Sequence, residues 1–251
     1  MGLITERDST AGGFEEVPVP VTADGADGAA QDGPAVLRRR SALPTRRAVL
    51  YLHCEQDNFV PEDLVTWYTE RGFHFYATDL RSQEGLDRPA RRRKRKGPKQ
   101  SERFAGLDSA CHHLREAEGI EMILMSAHGA GALTAAQWCD ARRDDGLADA
   151  LILSSPVFGR ALRRGLNIAC PVLVMSPADK EKRKRRGPRL RRRRHHHAAT
   201  VRLGPHVTWL RLEEGLEGTE GDAGGDRRNF FDEMGRWLGA YMYGKVRDQL
   251  L

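Results

Sequence analysis

Along the chain, apolar runs of strand length alternate with segments in which apolar residues recur every three to four positions. The runs fall at residues 14–21, 35–39, 48–53, 74–79, 122–127, 150–154, 172–176 and 207–212, and each is a predicted strand. Residues 61–71 open with Pro61, place Leu64, Trp67 and Tyr68 on one side and stop at Gly72, the proline-first, glycine-last order of a helix. Residues 101–118 repeat Phe104, Leu107, Cys111 and Leu114, and a terminal helix repeats Phe230, Met234, Trp237 and Tyr241. These one-sided stripes, with a further helix at 132–141, are expected to pack on a sheet. Strands alternating with helices in this way predict an α/β fold, a largely parallel sheet with helices on both faces. The first two strands depart from the pattern. Only a Gly-, Ala- and Asp-rich stretch, residues 23–33, separates them, and without a crossover helix they are expected to pair antiparallel.

With 251 residues, 39% of them hydrophobic, the chain can bury a substantial core, which excludes wholesale disorder. The expected organisation is a disordered stretch at 1–12, one domain at 13–244 and a tail at 245–251. No apolar stretch approaches the ~20 residues a membrane span needs, and residues 1–10 have neither the basic start nor the apolar centre of a signal peptide, so a cytoplasmic protein is expected. Cys54, Cys111, Cys139 and Cys170 are too few and too scattered for a disulfide framework or a Cys-x-x-Cys metal site, which fits a reducing compartment. No cofactor is expected, and the oligomeric state is not readable.

Charge changes the picture once it is located. The formal total is +6, but residues 91–99 carry seven bases and no acid, and residues 180–194 carry eleven bases and one acid. These two windows hold +17, leaving −11 for the rest: an acidic body with two cationic insertions, Arg91, Arg92, Arg93, Lys94, Arg95 and Lys96 in one and Lys182, Arg183, Lys184, Arg185 and Arg186 in the other.

After the predicted strand at 122–127 the chain reads Ala127-His128-Gly129-Ala130-Gly131 and enters a helix. Small residues on both sides of a tight strand-to-helix turn are what a nucleophile elbow requires, because its strained backbone passes close to its neighbours. With this turn the chain resembles the α/β-hydrolase superfamily, in particular its serine aminopeptidase-like, monoacylglycerol-lipase-like and lysophospholipase-like branch. The resemblance runs over residues 13–244. RAVLYLH at 47–53 is similar to the family's third strand and the start of its oxyanion loop, RGFHFYATDLR at 71–81 to its fourth strand, and PVLVMS at 171–176 with Asp179 to the strand and loop that bear its acid. It implies an eight-stranded, mostly parallel sheet and hydrolysis of carboxylic esters of lipids.

Matched residue by residue, the family's active site is incomplete. Its serine position is Gly129, which has no side chain and cannot form an acyl-enzyme. Its acid matches Asp179. Its histidine position is Glu217, and no histidine occurs from Val207 to Leu251. In the oxyanion region stand Ala130 and Cys54, the latter where the family usually has glycine. Only residues 157–170 separate Pro156 from Pro171, room for one short helix instead of a long lid, so the cap is minimal. Ser126 is expected inside a strand, and Ser154 and Ser155 to turn the chain beside Pro156. Cys54 lies at a strand's C-terminal end, where α/β sheets bind ligands, but no partner base is evident. Asp179 and Glu217, brought together by the family geometry, would share a proton as a general acid/base pair, or else stand solvated at the surface. His195 to His197 reads as a histidine run that needs no metal to explain it.

If the family topology holds, one basic run follows the fourth strand and the other the seventh, both leaving the C-terminal edge of the sheet beside the incomplete site. Lacking aromatic residues, they are suited to a polyanion or an acidic partner, bound without base stacking or sequence readout. The expected protein has the α/β-hydrolase fold without serine-hydrolase catalysis and acts by binding. The alternatives are a hydrolase or lyase using Asp179 with Glu217, or Cys54, and a decayed gene product with little function.

Overall fold

The computed structural model describes residues 13–19, 35–53, 60–79, 100–158, 162, 165–177, 202–212 and 226–241. Eight strands are described: β1 (Glu15–Pro18), β2 (Ala35–Arg39), β3 (Arg47–His53), β4 (His74–Asp79), β5 (Met122–His128), β6 (Ala150–Ser154), β7 (Val172–Pro177) and β8 (Val207–Leu212). The described helices are α1 (Glu62–Glu70), α2 (Gln100–Glu116), α3 (Gly131–Ala141) and α4 (Asp226–Tyr241). The strands form one sheet in the order β1-β2-β4-β3-β5-β6-β7-β8. β3 and β4 pair parallel, as do β6 with β7 and β7 with β8, whereas β1 and β2 pair antiparallel, as expected from the sequence. By contact the chain divides inside β5 into two compact units, Met1–Met125 and Ser126–Leu251.

In the first unit the core is aromatic and aliphatic: Leu50 and Leu52 of β3, Phe75 and Tyr76 of β4, Tyr68 of α1 and Leu107 and Leu114 of α2 are buried. The end of α1 shows how its sequence stops a helix. Gly72, at φ +75, donates its N–H to the Thr69 carbonyl, and Phe73 donates to the Tyr68 carbonyl. This is the left-handed glycine cap with its paired return bonds, and the Phe73 ring packs edge-on against Tyr68 at 5.9 Å. α2 ends at Glu116, two residues earlier than the pattern predicts, because Gly119 turns the chain at φ +66 and the Ile120 N–H returns to the Leu114 carbonyl. β1 is also shorter than the predicted 14–21. It pairs only with β2, over Glu15 to Pro18, while Phe14 and Val19 are buried just outside it. Arg38 of β2 joins Glu15 to Glu118, and Arg40 also reaches Glu118.

In the second unit α3 lies on β6 through small residues, Gly131, Ala132, Ala135 and Ala136, all buried, with Trp138 filling the space further along. α4 buries Phe230, Met234, Trp237 and Leu238, and the Trp237 indole N–H donates to Thr208 Oγ1 of β8 at 3.1 Å. Tyr241, the last residue of the predicted stripe, does not pack inward: it is exposed and stacks on Trp237 at 5.2 Å. Before β7, the chain is pinned to the segment ahead of β8: Leu166 and Ile168 donate to the Arg202 and Leu203 carbonyls, and Gly204 passes so close to Ile168 that a Cβ there would sit 2.5 Å from its carbonyl oxygen.

Candidate functional site

The turn after β5 is built by three backbone bonds. Gly129 donates its N–H to the Ser154 carbonyl at 3.0 Å, Val157 donates to the Gly129 carbonyl at 3.0 Å, and Ser155 donates to the Met175 carbonyl at 2.8 Å. They tie the C-terminal ends of β5, β6 and β7 together and leave Gly129 at φ +56. Non-glycine residues rarely adopt that region, and among the described residues only Ser155, at φ +46, does so. Ala130 follows as the first flanking residue of α3, with no side-chain cap. A Cβ built on Gly129 meets no atom of the described residues within 4 Å, its chain neighbours aside. The turn therefore combines a left-handed glycine with room for a side chain among the described residues.

The strand extends one residue beyond the predicted 122–127, and the added residue is His128. Its Nδ1 lies 3.0 Å from the Ser154 hydroxyl, which also lies 3.4 Å from the Ala127 carbonyl. A hydroxyl that gives its one proton to that carbonyl accepts from the imidazole; one that gives it to Nδ1 lets the imidazole accept. In both arrangements the bond holds the ring against the end of β6. Ser154 is only 5% exposed. Sequence reasoning gave Ser154 a turn-forming role and His128 none. A histidine directly before the turn's centre was the available signal, but its partner is 26 positions away and no local pattern joins them.

Ser126 lies within β5 and is buried, as expected. Cys54, Asp179, Glu217, His195 to His197 and the basic residues Arg91 to Lys96 and Lys182 to Arg186 lie outside the described residues. Among the described residues no group of three or more His, Cys, Asp or Glu side chains could hold a metal ion, and no described helix is long and apolar enough to cross a membrane. Burial raises the Tyr51 hydroxyl well above its ordinary range and pushes Tyr76 up to about 12.

Comparison with known proteins places this geometry. Residues 44–199, more than half of the chain, match the model of the family described as serine aminopeptidase, S33. No curated protein sequence matches. Among solved structures, an esterase from Pyrococcus furiosus is similar with a TM-score of 0.60 at 13% identity, over 96% of this chain and 96% of that one. A dienelactone hydrolase from Anabaena variabilis is similar with a TM-score of 0.61 at 13% identity, over 91% and 99%. A monoacylglycerol lipase from Paleococcus ferrophilus is similar with a TM-score of 0.53 at 17% identity, over 82% and 99%. At such identities the likeness is one of fold.

Proposed function

The chain belongs to the serine aminopeptidase S33 family of α/β-hydrolases, and from that premise we propose that it is a member without serine-hydrolase catalysis, which acts by binding. One observation carries this reading: glycine occupies the centre of the strand-to-helix turn, at φ +56, and no described atom stands where a side chain's Cβ would be. Acyl transfer through a covalent intermediate needs an oxygen or sulfur nucleophile at that place and a base to take its proton. Gly129 supplies neither atom, Glu217 stands at the histidine position, and the His128 imidazole is engaged by Ser154 through Nδ1. Without a nucleophile, no acyl intermediate forms for an oxyanion hole to stabilise.

The ligand that the charge distribution favours is a polyanion or an acidic partner, held by the basic runs that follow β4 and β7 in the chain. Arg91 to Lys96 and Lys182 to Arg186 would neutralise phosphate or carboxylate groups and release counterions, with little preference for sequence.

A fluorophosphonate probe tests the loss of catalysis: no serine of the folded protein is expected to be labelled, and labelling at the rate of an active hydrolase would overturn the proposal. Gly129→Ser alone is expected to restore little esterase turnover, since a serine there lacks a positioned base. A second reading, hydrolysis by other residues, has one described pair behind it, the Ser154 hydroxyl 3.0 Å from His128 Nδ1. The burial of Ser154 and its approach to the Ala127 carbonyl favour a tie between strands over a reagent. Turnover of generic esters would support that second reading. A bell-shaped pH–rate profile with its acid limb in the carboxylate range would point to Asp179 with Glu217.

A further inference from the structure

The last turn of α3 and the residues entering β7 lie at the N-terminal edge of β6 and β7, the edge opposite the one that the Gly129 turn borders. Two observations bring them together. The Asn167 N–H donates to Asp140 Oδ1 at 2.7 Å, holding the segment before β7 against the end of the helix. A cavity of about 20 Å³ is lined by Cys139 of α3 and by Cys170, together with Trp138, Arg142 and Arg143. Neither cysteine is in a disulfide; Cys139 is buried and Cys170 is half-buried.

We propose that Cys139 and Cys170 are a peroxide-responsive thiol pair that closes to an intramolecular disulfide. The cavity has room for a water-sized molecule, a size that suits hydrogen peroxide. Cys170, the more exposed, attacks first. Its thiolate sulfur bonds to one peroxide oxygen, the O–O bond breaks, and hydroxide leaves and takes up a proton as water, giving a sulfenic acid. The Cys139 thiolate then attacks the Cys170 sulfur, the S–S bond forms, the S–O bond breaks and a second water leaves. Two thiols and one peroxide become one disulfide and two waters: the sulfurs are oxidised and the peroxide oxygens reduced. Arg142 and Arg143 border the same cavity, each also paired with a carboxylate, Arg142 with Asp145 at 3.7 Å and Arg143 with Asp144 at 3.6 Å. Cys170 lies in a bend outside regular structure, where the backbone is not held by a strand or helix ladder. Cys111 is the internal contrast, since it is fully buried in α2 and burial pushes its thiol up to about 12.

The test uses the wild-type chain, reduced, freed of reductant and exposed to a small excess of hydrogen peroxide, then digested and mapped without reduction. The expected product is a cross-linked pair of peptides carrying Cys139 and Cys170, lighter by two hydrogens than the two thiol peptides and separated by dithiothreitol. It should form roughly tenfold faster in the folded chain than in urea. In Cys139→Ser, the sulfenic acid at Cys170 should persist and be trapped by dimedone. Disulfides through Cys54 or Cys111 instead, over-oxidation of Cys170 with no cross-link, or unreacted thiols would each overturn the pair.

Discussion

The backbone N–H of Ser41 donates to Nδ1 of His74 at 3.0 Å, so that nitrogen must carry a lone pair. Protonation would destroy the bond, and burial, followed by the charge of Arg40, holds the His74 pKa below its ordinary value of 6.5. A histidine whose folded pKa is depressed binds its proton more readily when unfolded. Its contribution to stability is therefore complete above about 6.5 and is lost as pH falls through the lower, folded value. His74→Asn keeps an acceptor and removes the titration. Between pH 7.5 and 5.5 the urea midpoint of the wild type should fall further than that of the variant; parallel curves would show that His74 does not titrate in this way. At this scale legibility depends on distance along the chain. Gly129 could be read because the turn around it is five consecutive residues, whereas His128 with Ser154, and Ser41 with His74, are joined only by folding.

Elements were legible where local periodicity is enough and blurred where pairing decides. α1 could be read to its last turn because Pro61, the apolar stripe and Gly72 are all local, and Gly72 forms the cap that ends it. β1 could not, because its length is set by the residues of β2 that it meets. α4 was legible as a stripe, but periodicity assigned Tyr241 to the buried face because it does not reveal where the underlying sheet stops. Trp237 is the helix's main anchor, offering both buried area and one hydrogen bond to Thr208. Trp237→Phe keeps most of the area and strands the threonine hydroxyl, at a cost of about 1 kcal/mol. Trp237→Ala also opens a cavity and should cost about 3–5 kcal/mol. Urea unfolding of both variants measures the difference; equal losses would assign the anchor to the hydrogen bond instead of to packing.

For the molecule as a whole, strand order was legible through the resemblance, and the observed sheet puts β3, β5 and β6 between β4 and β7, the strands that the two basic runs follow. A ligand was not legible, because loops of low complexity have no periodicity to read. Charge is the property that survives this gap, since it acts over the ~10 Å of a Debye length. A variant with Arg91 to Lys96 and Lys182 to Arg186 all changed to serine loses eleven positive charges. If the runs bind polyanions, this variant should leave heparin at much lower salt than the wild type, with a shallower dependence of log affinity on log salt. Matching far-UV spectra establish that both proteins are folded. Equal retention would mean that the runs are neutralised by the acidic body, in particular by the six carboxylates of residues 213–226. The glycine at the turn also bears on how this chain can evolve. A serine held at left-handed φ costs about 1–3 kcal/mol, which an active hydrolase tolerates for its chemistry; glycine adopts the same φ without that cost. On the proposed reading, selection for turnover and selection for stability no longer oppose each other at this position. On that reading the turn is a retained part of the fold, free to change with whatever the protein binds.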